Sequence, residues 1–222
     1  MGYYLYYLAP ILAAFLLQRP PLLLAVVLFF VLRPFLPDPV VLLRTWGRIR
    51  ALTAQIEANP ANVTARRELA TLWLERLRPA RALELLVEAD RRDPDSPEIL
   101  YLMGLAKLRS GDAAGALGPL VQAVERDPKV RFGEPYLVAG QALMELERHE
   151  EAEDAFDRYV GSNSSSVMGY YLLGKARAAR GDRDGARKAH QEARTTFGQL
   201  PGYKKRGQTR WWLRSVLASW LG

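Results

Sequence analysis

Ala82-Leu83-Glu84-Leu85-Leu86-Val87-Glu88-Ala89-Asp90-Arg91-Arg92-Asp93-Pro94 is answered, 34 residues later, by Ala116-Leu117-Gly118-Pro119-Leu120-Val121-Gln122-Ala123-Val124-Glu125-Arg126-Asp127-Pro128. Ala, Leu, Ala and Pro return at the same offsets: Ala82 and Ala116, Leu86 and Leu120, Ala89 and Ala123, Pro94 and Pro128. A third proline stands 34 residues before Pro94 and closes the related phrase Glu57-Ala58-Asn59-Pro60. The physical reading is direct. Antiparallel helices approach closely only where side chains are small, and large apolar residues fill the space around those contacts. Proline ends one helix and turns the chain into the next. A period of this length predicts stacked helical hairpins.

Working outward, the pattern extends over about residues 63–200 and resembles the tetratricopeptide repeat (TPR) family. The first unit shows Leu69-Ala70, Trp73, Ala82, Leu86, Ala89 and Pro94. The second shows Met103-Gly104, Ala116, Leu120, Ala123 and Pro128. The third is displaced by a two-residue insertion near Arg131-Phe132 and shows Tyr136, Ala139-Gly140, Leu143, Ala152, Phe156 and Tyr159. The fourth shows Tyr170, Leu173-Gly174, Ala186 and Ala193. The resemblance implies an all-α, right-handed α-solenoid of about four hairpins: 63–96, 97–130, 133–166 and 167–200, within an array at 61–200. Some positions depart from the family pattern. Ser164 and Gly198 replace the closing proline, Tyr159 replaces a small residue and predicts looser packing of the third unit on the fourth, and His190 takes a large apolar slot. Pro119 predicts a kink. Ser96-Pro97 reads as a helix cap, and Gly111-Asp112 and Gly181-Asp182 as turns between paired helices.

A solenoid needs its ends covered. Residues 37–60 hold an amphipathic stretch, Val40–Ala58, with Leu42, Trp46, Ile49, Leu52, Thr53 and Ile56 on one face, read as a linking and capping helix. Residues 201–222 form the other candidate cap. Trp212, Leu213, Val216, Leu217, Trp220 and Leu221 make its apolar stripe, and Arg206, Arg210 and Arg214 lie opposite. An interfacial helix and a partner-docking helix are the competing readings of this segment.

Residues 1–36 read as a membrane anchor. Tyr3–Leu17 carries no charge, Gln18-Arg19-Pro20-Pro21 interrupts, and a second apolar run, Leu22–Leu32, ends at Arg33-Pro34. Each run is shorter than the roughly 20 residues of a full span. A helical hairpin is favoured over one kinked span with Arg19 near its centre, and over a cleaved signal peptide. Tyr3, Tyr4, Tyr6, Tyr7 and Arg33, with Trp211, Trp212 and Trp220 at the far end, are the membrane-interface candidates. Arginines after the second run put the repeats on the cytoplasmic side of a bacterial inner membrane.

The charge of the 222-residue chain is +7 and uneven: residues 1–50 carry +4, residues 51–165 carry −6 and residues 166–222 carry +9. Basic ends suit an anionic surface such as lipid headgroups. There is no cysteine and there are only two histidines, His149 and His190. No nucleotide-binding loop occurs. The run Glu145 to Asp154 reads as a solvated acidic face. Nothing suggests catalysis, a cofactor, a metal, a nucleic acid or a small-molecule substrate.

What remains is protein binding. The TPR resemblance implies a concave groove lined by the first helix of each pair. Its residues are Arg67, Thr71 and Leu74; Tyr101, Leu105, Leu108 and Arg109; Leu137, Gln141 and Met144; and Met168, Tyr171 and Lys175. This mixed apolar and basic trough suits a peptide or helix with aliphatic anchors and an acid. The carboxylate-clamp subtype is disfavoured, because Thr71, Leu105 and Gln141 stand where asparagine would be diagnostic. The expected function is a membrane-anchored adaptor. The alternatives are a structural subunit of a membrane complex and a non-catalytic regulator of a membrane enzyme.

Overall fold

The computed structural model describes residues 39–221, together with Gln18, Pro21 and Leu24. Apart from those three, the anchor at 1–36 lies outside the described residues, and so do Tyr3, Tyr4, Tyr6, Tyr7, Arg33 and the Trp220 side chain. No helix among the described residues is long and apolar enough to cross a membrane.

Ten α-helices follow one another among the described residues: α1 (Pro39–Ala58), α2 (Val63–Glu75), α3 (Pro79–Asp90), α4 (Pro97–Arg109), α5 (Ala113–Arg126), α6 (Glu134–Glu145), α7 (His149–Ser162), α8 (Val167–Ala179), α9 (Arg183–Gln199) and α10 (Gly202–Leu221). They pair as α2–α3, α4–α5, α6–α7 and α8–α9, and each pair stacks on the next. Helix α1 packs on α2 at one end, and α10 packs on α8 and α9 at the other.

The small residues sit where the spacing requires them. Ala82, Ala89, Ala116 and Ala123 are completely buried. A Cβ on Gly104 would lie 2.4 Å from Leu120, one on Gly140 2.6 Å from Phe156, and one on Gly174 2.6 Å from His190. Each first helix therefore receives the large residue of its partner in a notch without a side chain. In the first hairpin Ala70 and Leu86 hold the matching positions, both fully buried. Tyr159 does not loosen the third interface. It is 5% exposed, and Gly169 in α8 makes room, since a Cβ there would meet the Tyr159 ring at 2.8 Å.

The turns inside each hairpin use one left-handed residue: Leu77 (φ 57°), Gly111 (φ 85°), Glu147 (φ 59°) and Gly181 (φ 86°). Glycine takes this conformation freely, whereas Leu77 and Glu147 do so under strain of about 1 kcal/mol. Asp112 and Asp182 then cap the second helices by accepting from the Gly115 and Gly185 amides at 2.8 and 2.9 Å. Ser96 occupies a cap position but its hydroxyl bonds no helix amide; Pro97, at the first helical position, has no N–H to satisfy. Helix α5 runs through Pro119 without ending.

The insertion appears as a short 3-10 turn, Val130–Gly133, with Arg131 and Phe132 both at positive φ (46° and 56°). Arg131 lies over the Tyr101 ring at 5.3 Å and binds Glu134 at 2.8 Å and Glu98 at 3.3 Å. The acidic run is not only a solvated face. Glu153, in α7, receives Arg177 of α8 at 2.9 Å and also Arg180, which follows α8, and Asp157 adds to the grip on Arg177 at 3.2 Å.

The capping helices keep only part of their expected faces. Helix α1 packs through Leu42, Ile49, Leu52 and Ile56 as expected, but leaves Trp46 62% exposed and Thr53 outside and buries Thr45 in their place. Buried Arg76 donates to Thr45 Oγ1 at 2.8 Å and to the Leu42 carbonyl at 2.6 Å. In α10 the fully buried residue is Ser215, with Trp211 and Trp212 packed inward, whereas Leu213 and Leu217 are exposed.

Candidate functional site

The first helices of neighbouring hairpins touch each other, α2 on α4 and α4 on α6, and so form one continuous face. The groove expected from the sequence lies along it, but its residues divide into three groups.

Leu74, Tyr101, Leu108 and Leu137 are between 2% and 8% exposed and belong to the core rather than the groove. Leu74 and Leu108 sit in the last turn of a first helix, where the next hairpin covers them. Tyr101 is sealed by the Arg131 turn, and burial, with Glu134 beside it, pushes its phenol pKa well above the usual value. Tyr171 is half-buried between His190 and Trp211, its ring centroid 5.7 and 5.6 Å from theirs. Trp211 is in turn flanked by Arg210 and Arg214 at 4.7 and 4.9 Å, and Trp212 stacks on Phe197 at 5.2 Å. These contacts pack one side of Trp211 and Trp212 against the protein and leave both partly exposed. Met168 also packs against the core.

A second group reaches the groove already engaged. Arg67 pairs with Glu98 at 2.8 Å. Arg109 donates to the Leu74 carbonyl at 3.1 Å and so ties α4 to α2. The Thr71 hydroxyl donates to the Arg67 carbonyl at 3.0 Å, and Leu105 is half-buried against the core.

Gln141, Met144 and Lys175 form the third group. They converge on a trough of about 240 Å³ between α6 and α8, together with Glu145, Phe156 and Leu172. Neither Gln141 nor Lys175 has a hydrogen-bond or ion-pair partner among the described residues. Lys175 also lines a second cavity of about 160 Å³, with Tyr171, Arg183, Arg187, His190 and Ala218. The C-terminal half of the groove is therefore the candidate site: a mixed trough in which the Gln141 amide, the Glu145 carboxylate and Lys175 surround Met144, Phe156 and Leu172, with Arg183 nearby, unpaired among the described residues, and Arg187 held by Asp184 at 3.6 Å. The sequence reading missed Glu145, Leu172, Arg183 and Arg187. The last two belong to a second helix and reach the groove only because it ends at the fourth hairpin.

The chain matches the tetratricopeptide repeat family model over residues 49–97, 74–131 and 137–201. It belongs to the tetratricopeptide repeat family. TPR proteins are in general non-catalytic interaction modules. No curated protein matches the chain. Among solved structures, the MamA protein is 23% identical with a TM-score of 0.63, over 71% of this chain and 90% of that one. A MamA fragment from Desulfovibrio magneticus RS-1 is 20% identical with a TM-score of 0.55, over 69% and 93%. YrrB, described as a TPR protein with an unusual peptide-binding site, is 18% identical with a TM-score of 0.62, over 80% and 86%. These likenesses establish the TPR fold. Among the described residues no group of three or more His, Cys, Asp or Glu side chains is placed to hold a metal ion.

His190, beside the TPR groove, is a buried titratable group whose Nδ1 lacks a partner among the described residues. It is 5% exposed and its Nδ1 makes no hydrogen bond. Burial, helped by Arg194, lowers its pKa below the ordinary value. In the unfolded chain it titrates near 6.5. As pH falls, the unfolded chain takes up that proton first, so the neutral ring favours folding above about 6.5 and this contribution is lost as pH drops through the folded value. Leucine fills the same slot in the first two hairpins. His190→Leu is expected to raise stability by about 1 kcal/mol at neutral pH and to flatten this window, measured by urea unfolding of both chains at neutral and mildly acidic pH.

Proposed function

We propose that this TPR chain is a membrane-anchored scaffold that holds a protein segment in the C-terminal half of its groove. The observation that carries the reading is the trough between α6 and α8, where Gln141 and Lys175 flank apolar Met144 and Leu172 with no partner of their own. The segment is an extended or helical peptide with an aliphatic anchor in the trough and a carboxylate for Lys175. The anchor proposal rests on the two apolar runs within residues 1–36 and on the arginines that follow them. They favour a bacterial inner membrane with the repeats on the cytoplasmic side. Anchoring would confine partner search to the membrane plane and raise effective concentration.

The test has two independent arms. Peptides selected from a random displayed library on the full chain in mild detergent should be rich in aliphatic and acidic residues. Lys175→Glu should weaken them by roughly tenfold, about 1.4 kcal/mol, without changing the melting temperature, because Lys175 is exposed. Unchanged affinity would move the site off this trough. Separately, the chain should stay in the membrane pellet after alkaline extraction, and removal of residues 1–36 should release it.

A further inference from the structure

A cavity of about 500 Å³ lies at the other end of the stack, where α1 crosses the turn between α2 and α3. Its lining is chemically lopsided: Leu42, Trp46, Ile49 and Trp73 with Arg50, Arg76, Arg78 and Arg81. Among the described residues none of these four arginines pairs with a carboxylate. No acidic residue lines the cavity, and of those nearby Glu68 meets Arg48 and Glu88 meets Arg91.

Arg76 makes the lack of an anion costly. It is 7% exposed, and among the described residues its side chain's only hydrogen-bond partners are the neutral Thr45 hydroxyl and the Leu42 carbonyl. Its guanidinium is 5.9 Å from the Trp46 ring and 5.8 Å from the Trp73 ring, and Arg81 covers Trp73 at 4.8 Å. Ring faces and neutral acceptors offset part of the desolvation of a cation but leave its charge uncancelled. Several guanidinium forks around one cavity match the oxygens of a phosphate group.

The surroundings indicate which phosphate. On the outer face of α1, Leu43 is 81% exposed and Trp46 62% exposed, one turn apart and beside Arg44 and Arg50. Apolar residues flanked by arginine on a helix surface suit the headgroup layer of a bilayer. Helix α1 begins at Pro39, directly after the apolar segment 1–36.

We propose that this pocket binds the phosphate of an anionic phospholipid, with Trp46 entering the headgroup layer at its rim. The proposal rests on the membrane reading above, and the experiment separates the two. The full chain in neutral detergent micelles is titrated with short-chain phosphatidylglycerol, short-chain phosphatidylcholine or inorganic phosphate, and tryptophan fluorescence is followed. Phosphatidylglycerol should give a saturable change that phosphatidylcholine does not, because a choline cation is repelled by the four arginines. The exposed pair Arg78→Gln with Arg81→Gln should weaken it by roughly tenfold or more. Inorganic phosphate should compete only at far higher concentration, since it lacks the glycerol and acyl parts that Leu42, Ile49 and Trp46 would meet. An equal response to phosphatidylcholine, no loss in the double variant, or inorganic phosphate binding as tightly as phosphatidylglycerol would each overturn the assignment. Since the anchor is read out by alkaline extraction, a chain that stays in membranes yet ignores phosphatidylglycerol refutes the pocket alone.

Discussion

Replacing Phe156 with alanine is expected to lower folding stability by about 3–5 kcal/mol. Phe156 is completely buried and the largest side chain so placed. It fills the notch of Gly140 in α6, and its ring also forms the floor of the trough beside Met144 and Leu172. The neighbours cannot close the space, because Gly140 has no side chain to move into it. A loss of this size is a large part of the stability of an ordinary domain. Urea unfolding of the full chain in detergent, followed by far-ultraviolet circular dichroism, measures it. Peptide binding in the trough should fall with it. A loss under about 1 kcal/mol would mean that the third hairpin collapses around the gap, against the rigid notch described here.

Gly140→Ala attacks the same contact from the other side. The new Cβ would lie 2.6 to 2.8 Å from three ring carbons of Phe156. Three ring carbons would have to give way at once, and the space open to them is the trough itself, so overpacking should cost about 1–3 kcal/mol and narrow the trough. The informative experiment is the double variant. Alanine facing leucine is the arrangement of Ala70 and Leu86 in the first hairpin, where both are fully buried. Phe156→Leu in the Gly140→Ala background should therefore restore more than half of the loss, although alone it would only open a small cavity. Simple addition of the two single effects would show that the residues do not share one contact.

These pairs also show what the sequence could reveal. The four hairpins were legible because a close helical contact has a compositional signature, a small residue at a fixed offset from a large one. Tyr159 was read correctly as a departure, but its consequence was not, because the compensating Gly169 lies in the next hairpin at a position with no fixed rule. The site was less legible for a similar reason. Position within a repeat assigns a face to each residue but not the depth to which the neighbouring helix covers it. Leu74 and Leu108 share a face with Lys175 yet are buried. Tyr101 is hidden by Arg131, supplied by an insertion outside the repeat. In α10, the stripe of Leu213 and Leu217 looked like the packing face, but the slot left by Tyr171 and His190 accepts an indole, and Trp211 takes it.

The stacking described above has a mechanical corollary. Among the described residues helix α1 and the trough near Lys175 lie at opposite ends of the stack, and the main contacts of each hairpin are with its neighbours. A load applied between the two ends therefore passes through every interface in turn, like springs joined in series, and the softest interface sets the extension. Leu77 and Glu147 hold bent turns under strain, whereas Gly111 and Gly181 do not. Under tension, yielding should begin in the first or third coil of this linkage rather than being shared evenly along it.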